Sequence, residues 1–276
     1  MAPRRDRGKH ESGQFLGAAD GMSTRAALLI EYDGGGFVGW QSQSAGGLAI
    51  QDVLEAAAAR LAGGAPVPST AAGRTDAGVH AEAQVALLEL PGDWRPDKLR
   101  DALNFHMRPH KVAVLRAALA PDGWSPRFSA IGRAYRYRIL NRRARPALLL
   151  GRVWHVDRAL DAAAMRRAAQ SLLGRHDFTS FRAAACQANS PLRTLDRLEV
   201  RRDGEVVEIV AEARSFLHHQ VRNMVGTLKL VGEGRWPEAA VAQALAARSR
   251  GAAGPTAPAE GLCLTGVRYA QDPFAA

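Results

Sequence analysis

Arg74 and Asp76 stand two positions apart between Gly73 and Gly78, in the string Ala71-Ala72-Gly73-Arg74-Thr75-Asp76-Ala77-Gly78-Val79-His80-Ala81. An aspartate is ionised at neutral pH unless strongly desolvated, its reference pKa being about 3.9. A carboxylate presented to a substrate can attack an electrophilic carbon or stabilise positive charge on it. Glycine lets the backbone turn with positive φ or approach a ligand closely. The same residue types also build ordinary surface turns, an acid beside its counter-charge. What the string does therefore depends on what the rest of the chain places around it.

The elements that hold the string are readable on both sides. Val67 to Ala72 and Ala83 to Leu90 have strand character, so Arg74, Thr75 and Asp76 fall on a tight connection between strands. Arg25 to Tyr32 is a further strand, closed by Asp33-Gly34-Gly35-Gly36. Ile50, Val53, Leu54, Ala57, Ala58 and Leu61 line one face of a helix that Gly63-Gly64 ends. Pro96 opens a second helix to about Phe105, and Val112 to Leu119 is a strand. This order is an α+β layer, helices on one face of an antiparallel sheet.

Pro121-Asp122-Gly123 is a turn cluster and the expected domain boundary. Beyond it, Arg133, Tyr135, Tyr137 and Ile139 share one face of a strand, and Ala134, Arg136, Arg138 and Leu140 the other. Aromatic and basic residues alternating in this way suit base stacking beside phosphate neutralisation. Arg142, Arg143 and Arg145 extend the basic patch. Asp161 caps a helix with an apolar stripe of Met165, Ala168, Ala169, Leu172 and Leu173. Leu192 to Arg202 and Glu205 to Ala213 form a hairpin about Asp203-Gly204.

Leu217 to Val231 reads as a helix, with His218, Arg222 and Lys229 on one stripe. Adjacent residues of a helix point about 100° apart, so His218 and His219 are expected to be poor joint metal ligands. A helix from about Pro237, a Gly/Ala/Pro loop over Ser249 to Glu260, and a strand from Leu262 to Tyr269 complete the chain. The expected organisation is a disordered basic tail over residues 1–24, an α+β domain over 25–122 and a second over 123–276.

Composition narrows the function. The 276 residues carry 37 Lys and Arg against 27 Asp and Glu, a net charge of +10, and the pI is about 10.5. Such a balance favours a polyanionic partner, nucleic acid or an acidic membrane. No apolar run approaches the roughly 18 residues of a membrane span, and the N-terminus lacks the apolar core of a secretory signal. The two cysteines, Cys186 and Cys263, imply no disulfide framework and no zinc site. There is no G-x-G-x-x-G and no Walker lysine, so no nucleotide cofactor is expected. A cytoplasmic, reduced setting follows.

The string Gly73 to His80 resembles the active-site signature of the tRNA pseudouridine synthase A family. Further blocks resemble that family in its own order: Glu31 to Gly34 with Gly39-Trp40-Gln41, Arg127 to Ala130, Tyr135 to Tyr137, His176 to Phe181, Phe216 to Gly226 and Glu260 to Leu262. The resemblance spans about residues 26–270. Departures fall at Phe105 to His110, at Gln220 where Met is usual, and at Cys263 where an aromatic is usual.

The resemblance implies two similar α+β domains with a cleft between them. It implies an isomerase that converts uridine to pseudouridine on the 3′ side of the tRNA anticodon stem-loop, without metal or cofactor. Asp76 then matches the nucleophile, and Arg222 its partner from the second domain. Tyr135 matches the aromatic that packs on the target base and helps remove the C5 proton. Arg74 matches the residue that fills the space of the extruded nucleotide. Thr75, Arg133 and His218 are expected as further substrate-binding residues. The implied partners are tRNA and a second copy of the chain.

Two rivals make different demands. A non-catalytic RNA-binding protein would use the same basic surface but needs no carboxylate among phosphates. A glycoside hydrolase needs two carboxyls flanking the bond, and Glu82 is the acid nearest Asp76 in sequence.

Overall fold

The computed structural model describes residues 22–44 and 46–275. Its strands are β1 (Ser23–Tyr32), β2 (Ser69–Ala71), β3 (His80–Pro91), β4 (Val112–Leu119), β5 (Ala130–Asn141), β6 (Trp154–Val156), β7 (Gly174–Asp177), β8 (Leu192–Asp203), β9 (Val206–Ala213) and β10 (Leu262–Tyr269). The α-helices are α1 (Ile50–Leu61), α2 (Pro96–His106), α3 (Ala162–Ala169), α4 (Gln220–Gly232) and α5 (Ala239–Ala246). The expected tail lies outside the described residues as far as position 21. Ser23 and Thr24 belong to β1 instead, because Thr24 is tied in: its Oγ1 donates to Gly92 O and accepts from Trp94 N–H, both at 2.8 Å.

The strands form one mainly antiparallel sheet in the order β4-β1-β3-β10-β5-β9-β8-β7, with β2 and β6 paired at its side. The strands of the first half join those of the second through the parallel pair β3–β10, at Cys263 with His80 and Leu264 with Ala81. Strand alternation decides which residues meet the helices. Along β1, Ala26, Leu28, Ile30 and Tyr32 enter a core with α1 and α2, whereas Ala27 and Leu29 turn to a smaller cluster with Trp124, Tyr269 and Phe274. A second large core joins Tyr137 and Ile139 of β5 and Val207, Ile209 and Ala211 of β9 to α3, α4 and α5. Tyr135 packs against both large cores and so stands at their seam.

Local capping agrees with the sequence at α3, where Asp161 Oδ1 accepts from Ala164 N–H at 2.9 Å. At α4 the structure corrects the expected start. The helix begins at Gln220, not Leu217. His219 takes a left-handed conformation (φ 61°), and Gln220 Oε1 accepts from Leu217 N–H at 2.8 Å. A non-glycine residue held there costs on the order of 1–3 kcal/mol, a strain found mainly where surrounding structure enforces it.

Candidate active site

Asp76 lies on the connection between β2 and β3, and that connection is held from below. Tyr32 Oη and Thr75 Oγ1 are 2.8 Å apart and buried. Thr75 O accepts from Trp40 N–H at 3.0 Å, and Gln84 Nε2 donates to Gly73 O at 2.8 Å. Gly39 makes this approach possible. Its φ is 111°, and a Cβ there would lie 2.7 Å from Thr75 O. The segment after β1 is thus a support for the carboxylate-bearing loop, and Thr75 faces that support.

From the other core, the start of α4 converges on the same carboxylate. Arg222 Nη1 donates to Asp76 Oδ2 at 3.1 Å. His218 Nε2 is 3.3 Å from Oδ1, and His219 Nε2 is 3.4 Å from Oδ2. The two imidazole rings are 4.0 Å apart. The expectation that these histidines diverge is therefore overturned. It assumed helical geometry, and the left-handed turn at His219 brings both rings to Asp76. Burial pushes the His219 imidazole below its ordinary pKa; Asp76 opposes this, and His218 and Arg222 add to it. The N-terminal end of a helix also carries partial positive charge, which favours an anion there.

Arg222 is aimed by a partner with no signature in sequence. Its Nε donates to Ala257 O at 2.8 Å, and Ala257 N–H donates back to Arg222 O at 3.1 Å. The Gly/Ala/Pro loop is itself locked to α4. Arg250 Nη2 and Thr256 Oγ1 donate to Asn223 Oδ1 at 3.1 and 2.6 Å. Gly226 admits this packing, since a Cβ there would meet Pro255 O at 1.8 Å.

Tyr135 stacks edge-on to Phe216, ring centroids 5.3 Å apart. Burial raises its phenol well above the usual range, and the charge of Asp76 raises it further. The hydroxyl therefore stays protonated at neutral pH. The expected stacking strand is reduced to this one aromatic. Tyr137 is fully buried and its Oη donates to Pro258 O at 2.8 Å. Arg136 is consumed by ion pairs with Glu82 and Glu208.

Arg74 is exposed and makes no side-chain hydrogen bond or ion pair among the described residues. Arg133, expected at the substrate, is differently engaged. Its guanidinium donates to Arg214 O, Ala72 O and Arg127 O at 2.6, 2.7 and 2.9 Å. It ties the base of the Asp76 loop to the strands of the second half. Glu82, the second carboxylate a glycosidase would need, lines a separate cavity of about 360 Å³ with Asp33, His80 and Arg152, which Asp76 does not line.

A carboxylate from one core, a guanidinium and two imidazoles from the other and a protonated phenol at the seam define one polar site. The chain belongs to the tRNA pseudouridine synthase family, whose model matches residues 28–129 and 168–270. Members of that family are isomerases. The chain is 72% identical over 251 residues to the tRNA pseudouridine synthase A of Acidiphilium cryptum, covering 91% of this chain and 98% of that one. It is 60% identical over 247 residues to the protein of the same name from Paramagnetospirillum magneticum, covering 89% and 95%. The corresponding figures for Gluconobacter oxydans are 56% over 252 residues, covering 91% of each chain. No described helix is long and apolar enough to cross a membrane.

Proposed function

We propose that this chain isomerises uridine to pseudouridine in the anticodon stem-loop of tRNA, on its 3′ side, with Asp76 as the nucleophile and without a cofactor. The observation that carries the reading is the convergence of Arg222 on Asp76 from 146 positions away. The reaction breaks the N1–C1′ bond, rotates the uracil and joins C5 to C1′, while the C5 proton leaves and N1 gains one. Atoms and electrons balance within the nucleoside, so no redox partner is needed.

In this reading Arg222 holds Asp76 as a paired anion. Tyr135 packs on the base, its protonated hydroxyl fitting it for contact and hydrogen bonding before any proton removal. Arg74, exposed and without side-chain ties among the described residues, fills the space of the extruded nucleotide. Extrusion costs a few kcal/mol, which phosphate contacts and stacking offset. Arg133 and Thr75 serve the loop that carries Asp76. The domains divide near Pro121, a cytoplasmic enzyme acts on tRNA, and the active species is a homodimer, which light scattering of the purified chain checks. The central test is release of tritium from tRNA labelled at uridine C5. The parent chain should release it, and Asp76→Asn should not while still binding tRNA. Turnover by the purified Asn variant would reject Asp76 as nucleophile.

A further inference from the structure

We propose that Asp76, His218 and His219 form a capture site for a divalent zinc ion, and that zinc bound there inhibits the enzyme. One ligand atom from each residue can be chosen so that all lie within 4.8 Å of one another. Zinc bonds to nitrogen and oxygen are about 2.0–2.2 Å, so two ligands of a tetrahedral ion stand about 3.3–3.5 Å apart. The two imidazole-to-carboxylate separations are 3.3 and 3.4 Å. They run to different oxygens, Oδ1 for His218 and Oδ2 for His219, so an ion seated there would take both carboxylate oxygens together with the two imidazoles. Two imidazoles with one carboxylate is a donor set found at zinc sites that keep an open position.

The backbone supports this arrangement. His219 is held left-handed at φ 61°, the conformation that turns both rings onto one carboxylate. His218 is 41% exposed, so an ion can reach the site from solvent. Arg222 opposes a second cation, but it does not block one. Each carboxylate oxygen has two lone pairs, and the Arg222 Nε stays anchored on Ala257 O. A bound ion occupies the carboxylate and bars its approach to C1′. The metal is thus an inhibitor, not a cofactor.

The inhibition rests on Asp76 as the reacting carboxylate; the binding does not. Zinc chloride titrated into metal-free protein against a chromophoric zinc indicator should show one site per chain. Loss of groups that merely orient a zinc ligand costs about 10–100-fold in affinity. Loss of a ligand in His218→Gln or His219→Asn should cost at least as much. Asparagine tolerates the left-handed backbone, and thermal unfolding of each variant checks that it is folded. Zinc that fails to bind, or binds equally to both folded variants, overturns the site. For inhibition, the enzyme is loaded with one equivalent of zinc, freed of excess by gel filtration and mixed with tRNA. Tritium release should fall and return with EDTA. Binding as expected with undiminished turnover would uphold the metal site and reject Asp76 as the nucleophile.

Discussion

Arg222→Ala tests the electrostatic core of the site. The side chains of Arg222 and Asp76 are 14% and 22% exposed, so water screens the pair only in part. At an effective dielectric constant near 20, unit charges about 4 Å apart attract by about 4 kcal/mol. Partial exposure and the two nearby imidazoles reduce what this pair contributes to about half, roughly 2 kcal/mol. If that energy serves the transition state, single-turnover rates fall about thirtyfold, since about 1.4 kcal/mol is tenfold. Affinity for tRNA should change much less. Arg222→Lys should recover only part of the rate. One ammonium cannot reach both Asp76 Oδ2 and Ala257 O as the planar guanidinium does. The assay is tritium release from 5-labelled tRNA at saturating enzyme, with affinity measured separately by filter binding. Weakened binding with an unchanged saturated rate would make Arg222 a phosphate contact and refute the pairing as a catalytic device.

Gly39→Ala should lower both stability and turnover, by thermal unfolding and tritium release, because its Cβ would lie 2.7 Å from the backbone of Thr75. Undisturbed turnover would mean that the segment after β1 does not fix the loop. Affinity for tRNA should fall steeply with salt, at about −0.9 in log K per log salt for each phosphate neutralised in duplex-like contacts. Arg74→Ala should make that slope shallower if the exposed guanidinium meets phosphate, and leave it unchanged if Arg74 only fills the extruded nucleotide's place. Asp33 supplies a pH test. Burial opposes its ionisation, but the Gly35 N–H, Lys111, Arg152 and His80 outweigh it and hold the carboxyl below its usual range. Its contribution to stability is therefore complete above the unfolded pKa of about 3.9 and is lost as pH falls through the folded value. The stability gap between the parent and Asp33→Asn in urea should shrink below about pH 4, and a constant gap would count against the ion cluster.

Local pattern made α1 and the β8–β9 hairpin legible, because apolar spacing and a two-residue turn are properties of contiguous sequence. The alternation along β5 was legible too, yet it misdirected the reading of function. Period two says which residues share a face, not what covers that face. Thus Tyr137 disappears into the core while Tyr135 stands at the seam. Arg133 looked like a substrate contact because its three acceptors are backbone carbonyls, which no residue type announces. His219 was missed for a similar reason. Its left-handed φ interrupts an apolar pattern that otherwise runs straight into α4. The meeting of Asp76 with Arg222 was expected only through the family resemblance, since spacing alone carries no information about contacts across 146 positions.

The supports found for each half of the site bear on where substrate binding energy goes. The Asp76 loop is pinned by Tyr32, Trp40, Gln84 and Arg133, and Arg222 by Ala257. Ties of this kind hold the charged pair in place, and fixed charges that need no reorganisation during reaction stabilise a transition state most. Arg74, two residues away, has no such ties among the described residues. If Arg74 fills the place of the extruded nucleotide, as proposed, binding energy from the tRNA backbone goes to drive that extrusion instead of assembling the catalytic groups. Loop-support variants and Arg74 variants should accordingly fail differently. The first lower the rate once RNA is bound, and the second impede entry of the nucleotide.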